Sequence, residues 1–178
     1  MAIASGIAVV LVLLTGLVAL IGVFLPKQYD VARMVTIPKD VSEVWRDVSD
    51  PSRMRGWRKD LRRVLGGRDR HGNVSWVEVG WMSRRKIEVM KMQRGVGWVA
   101  RADDGLFPVK ARLQLRIQGG GSMTMVELRE QGVIRSPFVR FLAKFVIGTA
   151  VHVNATLGQL AAHHGADPDI RDAGDGVD

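Results

Sequence analysis

The chain predicts an α+β domain, an antiparallel meander followed by one long helix, carried behind a single transmembrane helix. Three patterns predict it. Residues Ile3 to Leu25 are an unbroken run of apolar and small residues without a charge. Val109 to Ile117 alternates strictly: Val109, Ala111, Leu113, Leu115 and Ile117 share one face, and Lys110, Arg112, Gln114 and Arg116 the other. That is the period of a half-buried strand. From Phe138 onward the apolar residues return every three or four positions, the period of a helix.

As a helix the first run reaches about 34 Å at about 1.5 Å per residue, against a hydrocarbon core about 30 Å thick. A helix pairs its own backbone polar groups, which lipid cannot do. No Lys or Arg precedes the run, and Val23-Phe24-Leu25-Pro26-Lys27 offers no small residues at cleavage spacing. An uncleaved anchor over residues 1–26 is therefore expected rather than a signal peptide. Lys27, Arg33 and Lys39 follow it, so the positive-inside rule places the soluble domain, residues 27–165, on the cytoplasmic face of the cell membrane.

Tyr29 to Ile37 reads as a strand ended by Pro38. Asp40 is a helix cap with Glu43 at capping-box spacing, and Val41, Val44, Trp45 and Val48 form one apolar face behind it. Asp50-Pro51 stops that helix and starts a second short one, expected to run to Leu61. After Arg62 to Leu65 and a turn-rich stretch from Gly66 to Asn73, strands are expected over 74–82, 84–93, 96–102, 109–117 and 123–134, about six in all with the first. Gly119-Gly120-Gly121 turns the last hairpin. Ser136-Pro137 caps a final helix expected to continue to about His164, with Phe138, Phe141, Leu142, Phe145, Thr149, His152, Thr156 and Leu160 on its apolar stripe. Gly148 and Gly158 weaken it locally. The tail, 166–178, is acidic and Gly-rich and is expected to be disordered.

The formal net charge is +8, but the tail carries −4 and the anchor nothing, leaving +12 on the domain between them. Such a domain beside a bilayer is drawn to anionic headgroups at about 1 kcal/mol per basic side chain. Arg53, Arg55, Arg58, Lys59, Arg62 and Arg63 are the candidates for that surface. Zinc-finger, RRM and KH patterns are missing, so nucleic acid is not the expected partner. The chain has no cysteine, which excludes disulfides and thiol chemistry. It also lacks G-x-S-x-G and P-loop sequences. No metal ligand set is legible: His163 and His164 are neighbours, and on a regular helix their side chains diverge.

The segment Ile37-Pro38-Lys39-Asp40-Val41-Ser42-Glu43-Val44-Trp45, with Ser49-Asp50 and then Trp57, resembles the opening signature of the START/Bet v 1-like (SRPBCC) superfamily, in its polyketide cyclase/dehydrase branch. An uncharged anchor leading into Leu25-Pro26-Lys27 is similar to membrane-tethered bacterial members. Two positions depart from the pattern: Lys39-Asp40 stands for the usual Ala-Pro, and Arg58-Lys59-Asp60 follows Trp57 in place of a second tryptophan and proline. The resemblance covers Tyr29 to His164. It implies a helix-grip fold, a curved sheet wrapped around the C-terminal helix with a hydrophobic cavity between them, and no cofactor.

On that reading Trp45, Trp57, Trp76, Trp98, Leu113, Leu115, Phe141, Phe145 and His152 are candidates to line the cavity. The expected activity is binding of a lipid or other hydrophobic small molecule. A cofactor-free cyclase, aromatase or dehydratase is the alternative, and needs an inward acid–base pair such as His152 with a carboxylate. Glu78, Glu88 and Glu127 lie within strands, with Glu127 the catalytic candidate beside His152. A third alternative is a tethered interaction module with no cavity. Oligomeric state is not legible.

Overall fold

The computed structural model describes residues 2–68, 70–81, 83–105 and 109–173. Its first element, α1 (Ala2–Phe24), is a helix of 23 residues. β1 (Gln28–Ile37) follows, then α2 (Val41–Ser49) and α3 (Pro51–Trp57). Asp40 caps α2 by accepting from the Ser42 and Glu43 N–H groups at 2.7 and 3.1 Å. Glu43 does not complete the box and instead pairs with Lys39 at 3.2 Å. Asp50 caps α3 with Pro51 at its first turn. That helix stops at Trp57, short of the expected Leu61, where the Arg58 N–H bonds the Met54 carbonyl and the chain turns extended.

The meander is longer than predicted. β2 (Arg63–Arg68), β3 (Val74–Val79), β4 (Arg84–Gln93), β5 (Gly97–Asp104), β6 (Val109–Gly120) and β7 (Met123–Ile134) pair in sequence, and β1 closes onto β7. The strand over Arg63–Arg68 absorbs Gly66 and Gly67, which local composition assigns to a turn; pairing with β3 overrides it. The last residues of the expected strand 74–82 fall outside β3, and Met82 lies outside the described residues.

The C-terminal helix is broken. α4 (Pro137–Leu142) passes into a π-helical turn, Ala143–Ile147, which ends at Gly148 with φ 89°. α5 (Val151–His163) restarts at an angle of 46°. Glycine is the residue that accepts that backbone, so the break has a local cause. Of the two halves, α5 is the one that packs into the core, burying Val153, Leu157, Leu160 and Ala161 with β1 and β7 as its main neighbours in the sheet.

The tail also departs from expectation. Ala166 and Ile170 pack against the core, and β8 (Arg171–Asp172) adds an eighth strand beside β1, where Arg33 pairs with Asp172. Ile170 supplies apolar surface that the composition average hides. Residues 174–178 lie outside the described residues.

Judged on the described side chains, the apolar part of α1 is Val10–Phe24, and no single helix is long and apolar enough to cross a membrane. Its C-terminal end is locked to α4. Arg140, 5% exposed, donates to the carbonyls of Val23 and Leu25 at 3.2 and 2.8 Å, filling acceptors that a helix end leaves open. Gly22 packs so closely that a Cβ there would lie 2.0 Å from the Pro137 carbonyl oxygen.

Candidate functional site

Tryptophan placement builds the interior. The indole N–H groups of Trp57 and Trp98 donate to the Asp47 and Val48 carbonyls at 3.3 and 3.1 Å, pinning the C-terminal end of α2 over the sheet. Trp76 meets Trp98 edge to face with centroids 5.9 Å apart. Together with Leu113, Leu115, Leu157 and Leu160 they wall a cavity between sheet and α5. Its free space is about 30 Å³, room for a water molecule. Of the residues expected to line it, Trp57, Trp76, Trp98, Leu113, Leu115 and His152 do so. Trp45 is buried in the core beyond it, and Phe141 and Phe145 pack on each other outside it.

One wall is charged. Alternation along β3 and β4 turns Glu78 inward beside Trp76, and Arg85 inward beside Ile87. In β7 the buried set is Thr124, Val126, Leu128, Glu130, Gly132 and Ile134. Glu127 is out of phase with it and pairs across the strands with Arg116. Glu88 also points outward and pairs with Lys86 at 2.5 Å. Glu130, which the sequence reading does not single out, is thus the inward carboxylate of that strand. Fixing the phase of β7 from Val126 and Leu128 is the signal that finds it.

Glu130 accepts from the Tyr29 hydroxyl at 2.7 Å, Arg85 Nη2 at 2.6 Å and faces His152 Nδ1 at 2.9 Å. Burial works against its charge, but His152 and Arg85 outweigh that and hold its carboxyl well below the usual range. Burial and the neighbouring Glu130 carboxylate push the Tyr29 phenol far up, so it stays a neutral donor. Glu78 accepts from the Trp76 indole at 3.1 Å and has Arg58 at 3.7 Å. Again burial opposes ionisation, and His152, Arg58 and Trp76 overcome it, placing the Glu78 carboxyl at about 2.

His152 stands between the two carboxylates in the first turn of α5. Its Nε2 is 3.9 Å from Glu78, beyond hydrogen-bond length, and has no partner. The imidazole therefore holds one fixed contact and presents one vacant nitrogen to the cavity. A ligand hydroxyl or carbonyl reaching that end meets His152 Nε2, Glu78, Arg58 and Thr156 in otherwise apolar surroundings.

Of the expected surface cations, Arg58 is a core residue. It is 3% exposed and grips Asp60 through two bonds of 2.8 Å as well as facing Glu78. Arg53 pairs with Asp47 at 3.0 Å, and Arg62 stacks over Trp81 at 4.2 Å. Arg55, Lys59 and Arg63 are exposed. His71 is exposed in its turn, as expected.

No family profile matches the chain, and no curated protein matches it. Solved structures do. The Zhui aromatase/cyclase from Streptomyces sp. R1128 superposes with a TM-score of 0.65 at 12% identity, over 78% of this chain and 94% of that one. A Thermus thermophilus protein gives 0.62 at 18% identity, over 76% and 97% of the two chains. A START superfamily protein from Mycobacterium smegmatis gives 0.56 at 14%, over 75% and 97%. At these identities the likeness establishes the fold: an α+β helix-grip domain of the kind found in polyketide aromatase/cyclases and START proteins.

Proposed function

We propose that this is a membrane-anchored protein that binds a lipid or other hydrophobic small molecule between its sheet and α5, taking it up from the bilayer. The observation that carries the reading is a set of exposed apolar side chains on the end of α1, on α4, on the π turn and at the start of α5. Phe24, Phe138, Phe145, Val146, Ile147 and Val151 are all exposed there, and Arg140 ties α1 to α4. Lys27, Arg135 and Lys144 are exposed along the same segments, as a surface resting on anionic headgroups would require. The residue after Val151, His152, is already at the cavity edge.

The cavity is too small as it stands for such a ligand, so uptake requires the π-helical turn and Gly148 to let the start of α5 swing. Once open, apolar walls supply affinity at about 25 cal/mol per Å² buried. In support of the anchor, α1 has 23 residues and no charge. The cations that follow favour a cytoplasmic domain. Because the chain has no cysteine, S122C in the exposed β6–β7 hairpin reports topology by itself: maleimide labelling is expected only after the membrane is opened from the cytoplasmic side.

The test of binding is native mass spectrometry of the full chain released from nanodiscs made with its host membrane lipids. One bound hydrophobic species per chain is expected. A bare protein mass under conditions that keep the fold contradicts the reading.

One observation favours a second reading, acid–base catalysis of a cyclisation or dehydration: the inward His152–Glu130 pair that such chemistry needs is present. If that reading holds, H152A keeps the bound species and loses turnover of a poly-β-ketone substrate. If His152 serves binding alone, no turnover is seen in either protein.

A further inference from the structure

At the far end of α5 from His152, the two neighbouring histidines do something a regular helix forbids. α5 ends at His163, and His164 has left the helix with φ −91° and ψ 10°. The rings consequently stand at 71° with centroids 5.0 Å apart, and both reach Asp47 of α2. His163 Nε2 lies 3.5 Å and His164 Nε2 3.3 Å from the same oxygen, Asp47 Oδ2.

These separations fit a shared cation better than hydrogen bonds. His164 Nε2 makes no hydrogen bond, although its side chain is only 4% exposed. A buried imidazole nitrogen aimed at a carboxylate oxygen without bonding to it leaves a polar group unsatisfied. Two ligands on a tetrahedral ion with bonds of about 2.0–2.1 Å are about 3.4 Å apart, which matches the distance of each histidine nitrogen from Asp47 Oδ2. One ligand atom from each of the three residues falls within 4.8 Å of the others.

We propose that Asp47, His163 and His164 form a binding site for a divalent transition metal, best matched by Zn²⁺, with solvent at the fourth position. Two imidazoles and one carboxylate exclude Mg²⁺ and Ca²⁺, which take oxygen ligands. The surroundings suit the role. Arg53 occupies Asp47 Oδ1 at 3.0 Å and leaves Oδ2 for the metal. Glu43 lies 3.9 Å from His164 Nδ1, too far for a hydrogen bond, and adds negative charge beside the site. Lys39 is turned onto Glu43 at 3.2 Å, so these two cations each face a carboxylate. The site is independent of the cavity and of membrane attachment. It corrects the expectation that the adjacent histidines point apart. Its effect is to rivet the end of α5 to α2.

The experiment is Co²⁺ titration of the chelator-stripped full chain in detergent, followed by Zn²⁺ competition and calorimetry. One equivalent of Co²⁺ with the absorption of a four-coordinate ion, displaced by Zn²⁺ and indifferent to Mg²⁺, is expected. H163A alters a half-exposed residue, so its fold should survive, as circular dichroism will show; it is expected to weaken binding at least tenfold. Zn²⁺ should raise the Tm of the parent protein and of H71A, but not of H163A. No saturable binding, or binding that survives H163A at full strength, overturns the proposal.

Discussion

Glu78 and Glu130 show at the residue scale how a small apolar core keeps charge. Each is nearly buried, each faces an arginine, and His152 bridges the gap between them. A carboxyl whose folded pKa is depressed contributes stability above its unfolded value near 4.3, and that contribution is lost as pH falls toward the folded value. With Glu78 at about 2 and Glu130 also held low, the Tm should drop steeply between about pH 5 and pH 2. E130Q should cost about 3–5 kcal/mol at pH 7, since it leaves Arg85 buried without its charge partner, and should flatten that acid limb. Thermal unfolding against pH checks both. Glu130 was legible in principle, because the alternation of Val126 and Leu128 fixes the strand's phase. The burial of Arg58 was not: a guanidinium in a run of cations gains its place only from Asp60 and Glu78, partners that no local pattern singles out.

The C-terminal helix is where sequence and structure part most clearly among the elements. A 3.6-residue stripe from Phe138 to Leu160 reads as one helix with one buried face. The chain instead divides it at Gly148, burying the face of α5, half-burying Phe141 and Leu142 of α4 and leaving Phe145 of the π turn in the open. Periodicity reports amphipathicity, not which surface covers the apolar face. The strands were easier, since β-branched runs and the β6–β7 hairpin name their own partners. Two outcomes belong here. G148A forces a side chain into a glycine backbone and should destabilise the domain by about 1–3 kcal/mol in chemical denaturation. F145E with I147E alters exposed positions and should leave Tm nearly unchanged, within about 0.5 kcal/mol each. It should nevertheless slow transfer of a fluorescent lipid from vesicles to the chain at least tenfold.

For the whole molecule, the sheet, α2 and α5 enclose an interior that is complete without a ligand, with space for only a water. On the proposed reading, membrane association and ligand admission are one problem, because the outward-facing segment that ends at Gly148 leads directly into the first turn of α5, which carries His152 at the cavity. The helix-grip architecture was visible in the order of elements and in the segment from Ile37 to Trp45. The near-filled cavity was not, since filling depends on how Trp57, Trp76 and Trp98 pack together.

The most direct test uses those tryptophans. Trp57, Trp76 and Trp98 line the cavity, while Trp81 is exposed, so W81F removes the solvent-facing background. The full-length W81F chain would be placed in nanodiscs whose lipids carry brominated acyl chains, which quench indole only at contact. Strong quenching relative to unbrominated discs, abolished by F145E/I147E, is the outcome the account predicts. Fluorescence that stays the same in both discs would mean that no acyl chain reaches the interior, and would contradict it.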